Sequence, residues 1–288
     1  MSASEGICPV AEPGNQAKVR SRLRFPSTWD GAVAFAWLLL IHVTAAAGLW
    51  LYPKPGWRLF SSFLAIAFVG GVGTTVGYHR SLTHRSVWLH PVVRRFLILA
   101  AMLNGAGAPL SWVATHRLHH ATADTPEDPS SPVWGGFWWA HAGWIWDPVY
   151  VTRPIRADDV HELAPWSRLL APILAASYLG GIVFGPAGLF WLGSIRLVLA
   201  FNATSFVNSV CHRKPVASSR GAGSRNVLWL APLQLFLGEN WHRNHHLHPS
   251  SPRLGLDWSQ PDAGYWIIVG LQKFGLARMK RTGDAASM

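Results

Sequence analysis

The chain has 288 residues, half of them hydrophobic and only 14% charged, against about 25% charged in soluble domains; this composition argues for a membrane protein. A formal charge of +11 suits anionic lipid headgroups, acidic electron carriers or phosphate-bearing substrates, and no nucleic-acid motif accompanies it. The only two cysteines, Cys8 and Cys211, are far apart and neither forms a Cys-x-x-Cys pair, which argues against disulfide scaffolds, zinc ribbons and thiolate-bound iron–sulfur clusters.

Residues 1–30 are polar, with Lys18, Arg20, Arg22 and Arg24 ahead of the first apolar run. They read as a cytoplasmic tail and not as a signal peptide, because no short apolar region with a small-residue cleavage site follows. Residues 31–52 are apolar over a length that crosses a hydrocarbon core of about 30 Å as a helix. His42 interrupts this run and is expected to reach a neighbouring carbonyl. Pro53-Lys-Pro-Gly56 makes a tight turn, and residues 57–77 return, carrying Gly70, Gly71, Gly73 and Gly77 where helices pack closely.

Val92 to Val113 is apolar but broken by Arg94, Arg95, Asn104, Gly105, Gly107 and Pro109, so it predicts an interfacial or buried helix pair. The tryptophans between Trp134 and Trp146 predict a headgroup-level belt. Residues 165–184 and 186–210 supply two further spans joined at Gly185, with Arg196 facing the protein. The Lys and Arg residues concentrate in the N-terminal tail, the 78–164 segment and the residues after Cys211, which the positive-inside rule places in the cytoplasm. The predicted fold is an all-α membrane domain over 31–278, with four transmembrane helices in two hairpins and a cytoplasmic helical cap; 279–288 form a short tail.

Nine of the fourteen histidines fall in four places, all on the side of the cap. His116, His119 and His120 recur at i, i+3, i+4, as do His242, His245 and His246, a spacing that sets three imidazoles on one helix face. His79 and His84 precede them, and Asn208 and His212 lie between. Nine imidazoles exceed the three or four ligands of one zinc, so two metals are implied. Imidazole suits zinc, copper, iron and nickel alike; an all-nitrogen pair beside a hydrocarbon phase fits oxygen chemistry on lipid, and iron is the working choice. Asp124, Glu127, Asp128, Glu239 and Asp257 are candidates to orient the imidazoles. His248 reads as a bystander, and neither His90 nor His161 belongs to the set.

His79-Arg-Ser-Leu-Thr-His84, His116-Arg-Leu-His-His120 and His242-Arg-Asn-His-His246, separated by hydrophobic hairpins, resemble the three histidine boxes of membrane fatty acyl desaturases. Gly238-Glu-Asn-Trp-His242 and Asn208-Ser-Val-Cys-His212 are similar to segments of the Δ9 acyl-CoA (stearoyl-CoA desaturase-like) branch. The resemblance covers residues 30 to 278. It implies two irons held by His79, His84, His116, His119, His120, His212, His242, His245 and His246, with Asn208 joined through a water. It further implies O2 as co-substrate, a cis double bond as product, and an acyl chain carried by CoA, acyl-carrier protein or lipid, with acyl-CoA favoured. Without a His-Pro-Gly-Gly haem signature, electrons are expected from a separate cytochrome b5, ferredoxin or rubredoxin-like partner. Hydroxylation, acetylenation and decarboxylation share these boxes and form the alternative reading. A zinc transporter would need ligands at mid-membrane and a haem protein needs only two axial ligands; neither explains nine clustered histidines.

Overall fold

A computed structural model describes residues 25–147, 158–212 and 223–280. Cys8, the basic run Lys18 to Arg24 and nearly all of the C-terminal tail lie outside these residues. The described chain is helical apart from a small ladder: β1 (Val87–Leu89) pairs antiparallel with β2 (Ala277–Met279), Val87 opposite Met279. This pairing corrects the all-α expectation and closes the C-terminal end of the domain onto the segment after the first histidine box.

Helix α1 (Trp29–Leu51) starts where the Thr28 side chain accepts a hydrogen bond from Gly31 N at 3.2 Å, an N-cap that satisfies one of the free amides. It is apolar all round and buries little beyond Gly31, Ile41, Ala45 and Gly48, as expected of a helix whose outer face meets lipid. Gly48 lies against Phe190, where an added Cβ would come within 2.5 Å of Phe190 Cβ. Helix α2 (Trp57–Thr83) follows the turn. Helices α3 (Pro91–Leu103) and α4 (Pro109–Thr122) form the expected pair, joined through Gly105 and Gly107, both at positive φ, where glycine carries no Cβ penalty.

Among the described residues, three helical stretches are long and apolar enough to cross a membrane: α1, α2 and the run Leu170–Cys211. Within that last run lie α6 (Leu170–Leu179) and α7 (Arg196–Cys211); α5 is the short helix Phe137–His141 before them. Between α6 and α7, Gly185 takes φ +79. The two arms then meet backbone to backbone: a Cβ on Gly181 would lie 2.2 Å from the Gly188 carbonyl oxygen, and one on Gly193 would lie 2.3 Å from that of Tyr178. Beyond these lie α8 (His242–Leu247) and α9 (Ala263–Lys273), with several single-turn helices between the longer elements.

Arg196 faces inward, as its place in an apolar run requires. Its guanidinium donates to the Leu192 and Leu103 carbonyls at 2.7 and 3.1 Å, to Asn104 Oδ1 at 3.3 Å and to Ser177 Oγ at 2.5 Å, tying α7 to α3 and α6. The tryptophan segment departs from a simple headgroup belt. Trp138 faces outward, but Trp139 and Trp146 are buried, and the indole N–H groups of Trp134 and Trp139 donate to the Asp124 and Pro129 carbonyls. These rings wall in the loop after the second box.

Gly181→Ala should lower the melting temperature of the detergent-solubilised protein, because overpacking against a backbone atom costs about 1–3 kcal/mol. Gly180→Ala, beside open space, should leave it unchanged or raise it; equal melting temperatures for the two variants would contradict this packing.

Candidate metal centre

Different local structures deliver the imidazoles. An α-helix turns about 100° per residue, so the i, i+5 spacing of His79 and His84 would point them apart. The chain avoids this by widening α2 into a π-helical segment over Gly73–Thr83, in which His84 N donates to His79 O at 3.1 Å and Thr83 Oγ1 to Tyr78 O at 2.8 Å. The widened turn seats against α3 through Gly73, where a Cβ would lie 2.5 Å from Ala101 N. Such π segments recur at functional sites. The second box needs no such device, since α4 puts His116, His119 and His120 on one face. In the third, Gly238 at φ +98 turns the chain into α8, and a Cβ there would collide with Asp262 Oδ1 at 2.6 Å. Asn208 lies in the last turn of α7, and His212 follows it in extended backbone bridged to Ser224.

These elements assemble the nine histidines into two groups that could each hold a metal ion, with all ligand atoms of a group within 4.8 Å of one another. His79, His84, His116, His120 and His245 form one; His119, His212, His242 and His246 form the other. In the first, Nε2 of His245 lies 3.0 Å from that of His79 and 2.8 Å from that of His120; Nε2 of His116 lies 3.2 Å from that of His84 and 3.1 Å from that of His120. In the second, Nε2 of His242 faces those of His212 and His246 at 2.7 and 3.0 Å, and His119 faces His246 at 3.3 Å.

Carboxylates hold the opposite nitrogens. Asp128 accepts from His119 Nδ1 at 3.0 Å, and Asp124, at φ +62, accepts from His212 Nδ1 at 3.2 Å. His79 Nδ1 lies 2.7 Å from a Glu239 oxygen, a close charge contact without hydrogen-bond alignment. With the Nδ1 proton committed to a carboxylate, Nε2 of His119 and of His212 is a lone pair. A lone pair facing another imidazole nitrogen about 3 Å away needs a proton or a cation between them. Burial first, then repulsion among the imidazoles, holds His84, His116, His120, His242, His245 and His246 well below the ordinary histidine pKa. Burial also disfavours charge on His119, but Asp128 outweighs it and raises that pKa. Protons are therefore disfavoured at most of these facing nitrogens. Metal ions fit, because bonds of about 2.1 Å to imidazole nitrogen place adjacent ligands about 3 Å apart.

The pair borders an open cavity whose empty space, solvent at its mouth included, is about 790 Å³. Ala67, Gly71, Thr75 and His79 contribute one wall from successive turns of α2, and Leu199, Ala203 and Val207 another from α7. His116, His242, Asn208 and Glu239 also reach it, so both groups of imidazoles and the predicted asparagine meet one largely apolar slot. From Ala67 to His79 the helical rise is about 18 Å.

The other sequence candidates separate cleanly. Glu127 and Asp257 are exposed, and Asp257 instead accepts from Ser259 N at 2.8 Å. His248 is exposed and outside both groups; the half-buried His42 is also outside them, and its Nδ1 meets Leu38 O at 2.7 Å. His90 caps α3. Sequence reading missed Trp112, stacked on His116 at 4.8 Å with an interplanar angle of 14°. It also missed the buried Arg80–Asp262 ion pair, 2.8 Å. Arg80 directly follows a box histidine, but its partner lies 182 positions away, a pairing that no local pattern reports.

Comparison with known proteins converges on the same chemistry. The sequence model named "Fatty acid desaturase" matches residues 55–269. "Delta-9 acyl-lipid desaturase 1" of Arabidopsis thaliana is 36% identical over 77% of this chain and 74% of its own. "sn-1 stearoyl-lipid 9-desaturase" of Anabaena variabilis is 36% identical over 75% and 80%, and an acyl-CoA 5-desaturase of Anemone leveillei is 34% identical over 89% and 82%. The relatives share the oxidoreductase chemistry that two groups of clustered imidazoles beside a largely apolar slot would serve, and this chain belongs to the fatty acid desaturase family.

Proposed function

We propose that the protein is an O2-dependent acyl desaturase that inserts a cis double bond into a saturated acyl chain at two irons. The observation that carries this reading is the meeting of two polyhistidine groups at one apolar slot. His79, His84, His116, His120 and His245 would ligate one iron, and His119, His212, His242 and His246 the other. Asn208 would join through a water. When bound, the irons activate O2 for removal of one hydrogen from each of two adjacent methylenes. A Δ9 position agrees with the names of the Arabidopsis and Anabaena relatives.

The chain's own residues supply position and dryness. Asp124, Asp128 and Glu239 fix imidazole orientation from behind. The walls of α2 and α7 hold an alkyl chain against His79, His116 and His242 and exclude water from the reacting methylenes. The electron partner is a separate carrier such as cytochrome b5, ferredoxin or a rubredoxin-like protein. The turn at Gly185, with its backbone-to-backbone arms, supports four crossings in two hairpins, and the charge distribution supports a cytoplasmic cap with both termini on the same side.

Expression in a desaturase-deficient host, with mass spectrometry that localises double bonds, should reveal a new cis-monoene that is absent with His245→Ala; hydroxylated, acetylenic or terminal-alkene products would refute desaturation. His119→Ala should likewise abolish product and lower bound iron while membrane insertion persists, whereas His90→Ala and His248→Ala should remain near wild type. Asp124→Asn should weaken metal affinity about 10–100-fold, read as iron lost during chelator titration. Ala67→Phe, which fills the slot remote from the histidines, should shift product toward shorter chains.

A further inference from the structure

We infer that His141 is a positioning residue for the metal pair, an imidazole that clamps the back of α7 at Asn202 and Ser209 and so sets how α7 presents Asn208 and His212 to the four-histidine group. This rests on the di-iron reading and deepens it. α7 has two faces. Leu199, Ala203 and Val207 turn toward the slot with Asn208, whereas Asn202, Ser205, Phe206 and Ser209, at i, i+3, i+4 and i+7, form the opposite stripe. His141, at the end of α5 and only 5% exposed, meets that stripe at two levels: its Nε2 lies 3.1 Å from Asn202 Oδ1 and its Nδ1 2.9 Å from Ser209 Oγ. The rings of Phe137 and Phe206 pack on it, the first stacked at 5.3 Å and the second edge-on at 4.7 Å. Anchors seven residues apart span about 10 Å of helix, so together they fix both its rotation and its axial position.

The hydrogen bonds assign the protons of this network. His42 Nδ1 donates to Leu38 O at 2.7 Å, which leaves its Nε2 as an acceptor facing Asn202 Nδ2 at 3.5 Å. Asn202 Nδ2 also donates to Val198 O at 2.8 Å, so Asn202 Oδ1 is turned to His141 and accepts from its Nε2. Burial holds the His141 pKa below the ordinary histidine value, and the neutral ring carries its one proton on Nε2. Its Nδ1 is then an acceptor for the Ser209 hydroxyl, which otherwise donates to Ser205 O at 2.9 Å. The same segment grips the four-histidine group from a second side. Trp134 and Trp139 donate to the carbonyls of Asp124 and of Pro129, the neighbour of Asp128, and these two carboxylates hold His212 and His119. The five-histidine group draws no member from α7.

The test follows the full-length, iron-loaded protein by Mössbauer spectroscopy and by the rate of iron loss to a chelator. His141→Ala should speed the loss of one iron of the pair about tenfold and alter one Mössbauer signal, leaving the other iron as in wild type. His141→Gln, which keeps a donor for Asn202 and an acceptor for Ser209, should restore most of the difference. Ser209→Ala removes only the second contact, in a helix that alanine favours; it should perturb the same signal, and it decides should His141→Ala fail to fold. Gly181→Ala, destabilising away from the centre, should lower the melting temperature without either change. Wild-type iron behaviour in folded His141→Ala or Ser209→Ala, equal effects on both irons that track the melting temperature, or no gain from Gln over Ala would each overturn the clamp while leaving the di-iron reading intact. A wild-type protein that binds no pair of irons would remove that reading and the clamp with it.

Discussion

Nine imidazoles turned toward one another in two close groups are the constraint on which the structure depends. Facing lone pairs repel, and burial disfavours protons on most of them. Only cations between them turn the arrangement from a cost into a bond network. Asp128 and Asp124 complete the logic by fixing the tautomers of His119 and His212, and with Glu239 beside His79 they would supply negative charge against two metal ions. The geometry also divides the set unevenly. The five-histidine group includes the partly exposed His84, His116 and His120, whereas every member of the four-histidine group is buried.

The surrounding fold brings these nitrogens together. α2 and α7 run from the apolar layer to the imidazoles, and both line the slot. Short side chains set the distances: Gly73 admits α3 against the π segment, and Gly238 makes room for Asp262. The Arg80–Asp262 pair joins the first box to the segment after the third, so elements remote in sequence share one anchor. Breaking a buried pair of this kind leaves an uncompensated charge, which costs more than its formation gains.

Much of this was legible from residue types and spacing. The i, i+3, i+4 boxes could be placed on helix faces because that periodicity is local, and α1, α2 and the α3–α4 pair follow from apolar runs and breakers. The first box was legible as histidines but not as structure, because a π turn depends on the packing of Gly73 against α3. Asp124 and Asp128 could be proposed as orienting groups, yet only tertiary contact separates them from Glu127 and Asp257, which carry the same charge in an equally plausible place. The residues lining the slot could not be read from the sequence, since its walls come from α2, α7 and a loop between the second and third boxes, and alanine, leucine and glycine there read as ordinary packing residues. The tryptophan segment was misjudged for a related reason: composition marks a headgroup level, but the fold turns Trp139 and Trp146 inward.

The central claim is that the two groups of histidines are two metal sites. It is tested most directly by the iron content of the purified full-length protein, measured by plasma mass spectrometry against amino-acid analysis and accompanied by iron-edge X-ray absorption. The account predicts two irons per chain with nitrogen and oxygen neighbours and no sulfur. A single metal per chain, or zinc in an active preparation free of iron, would contradict it.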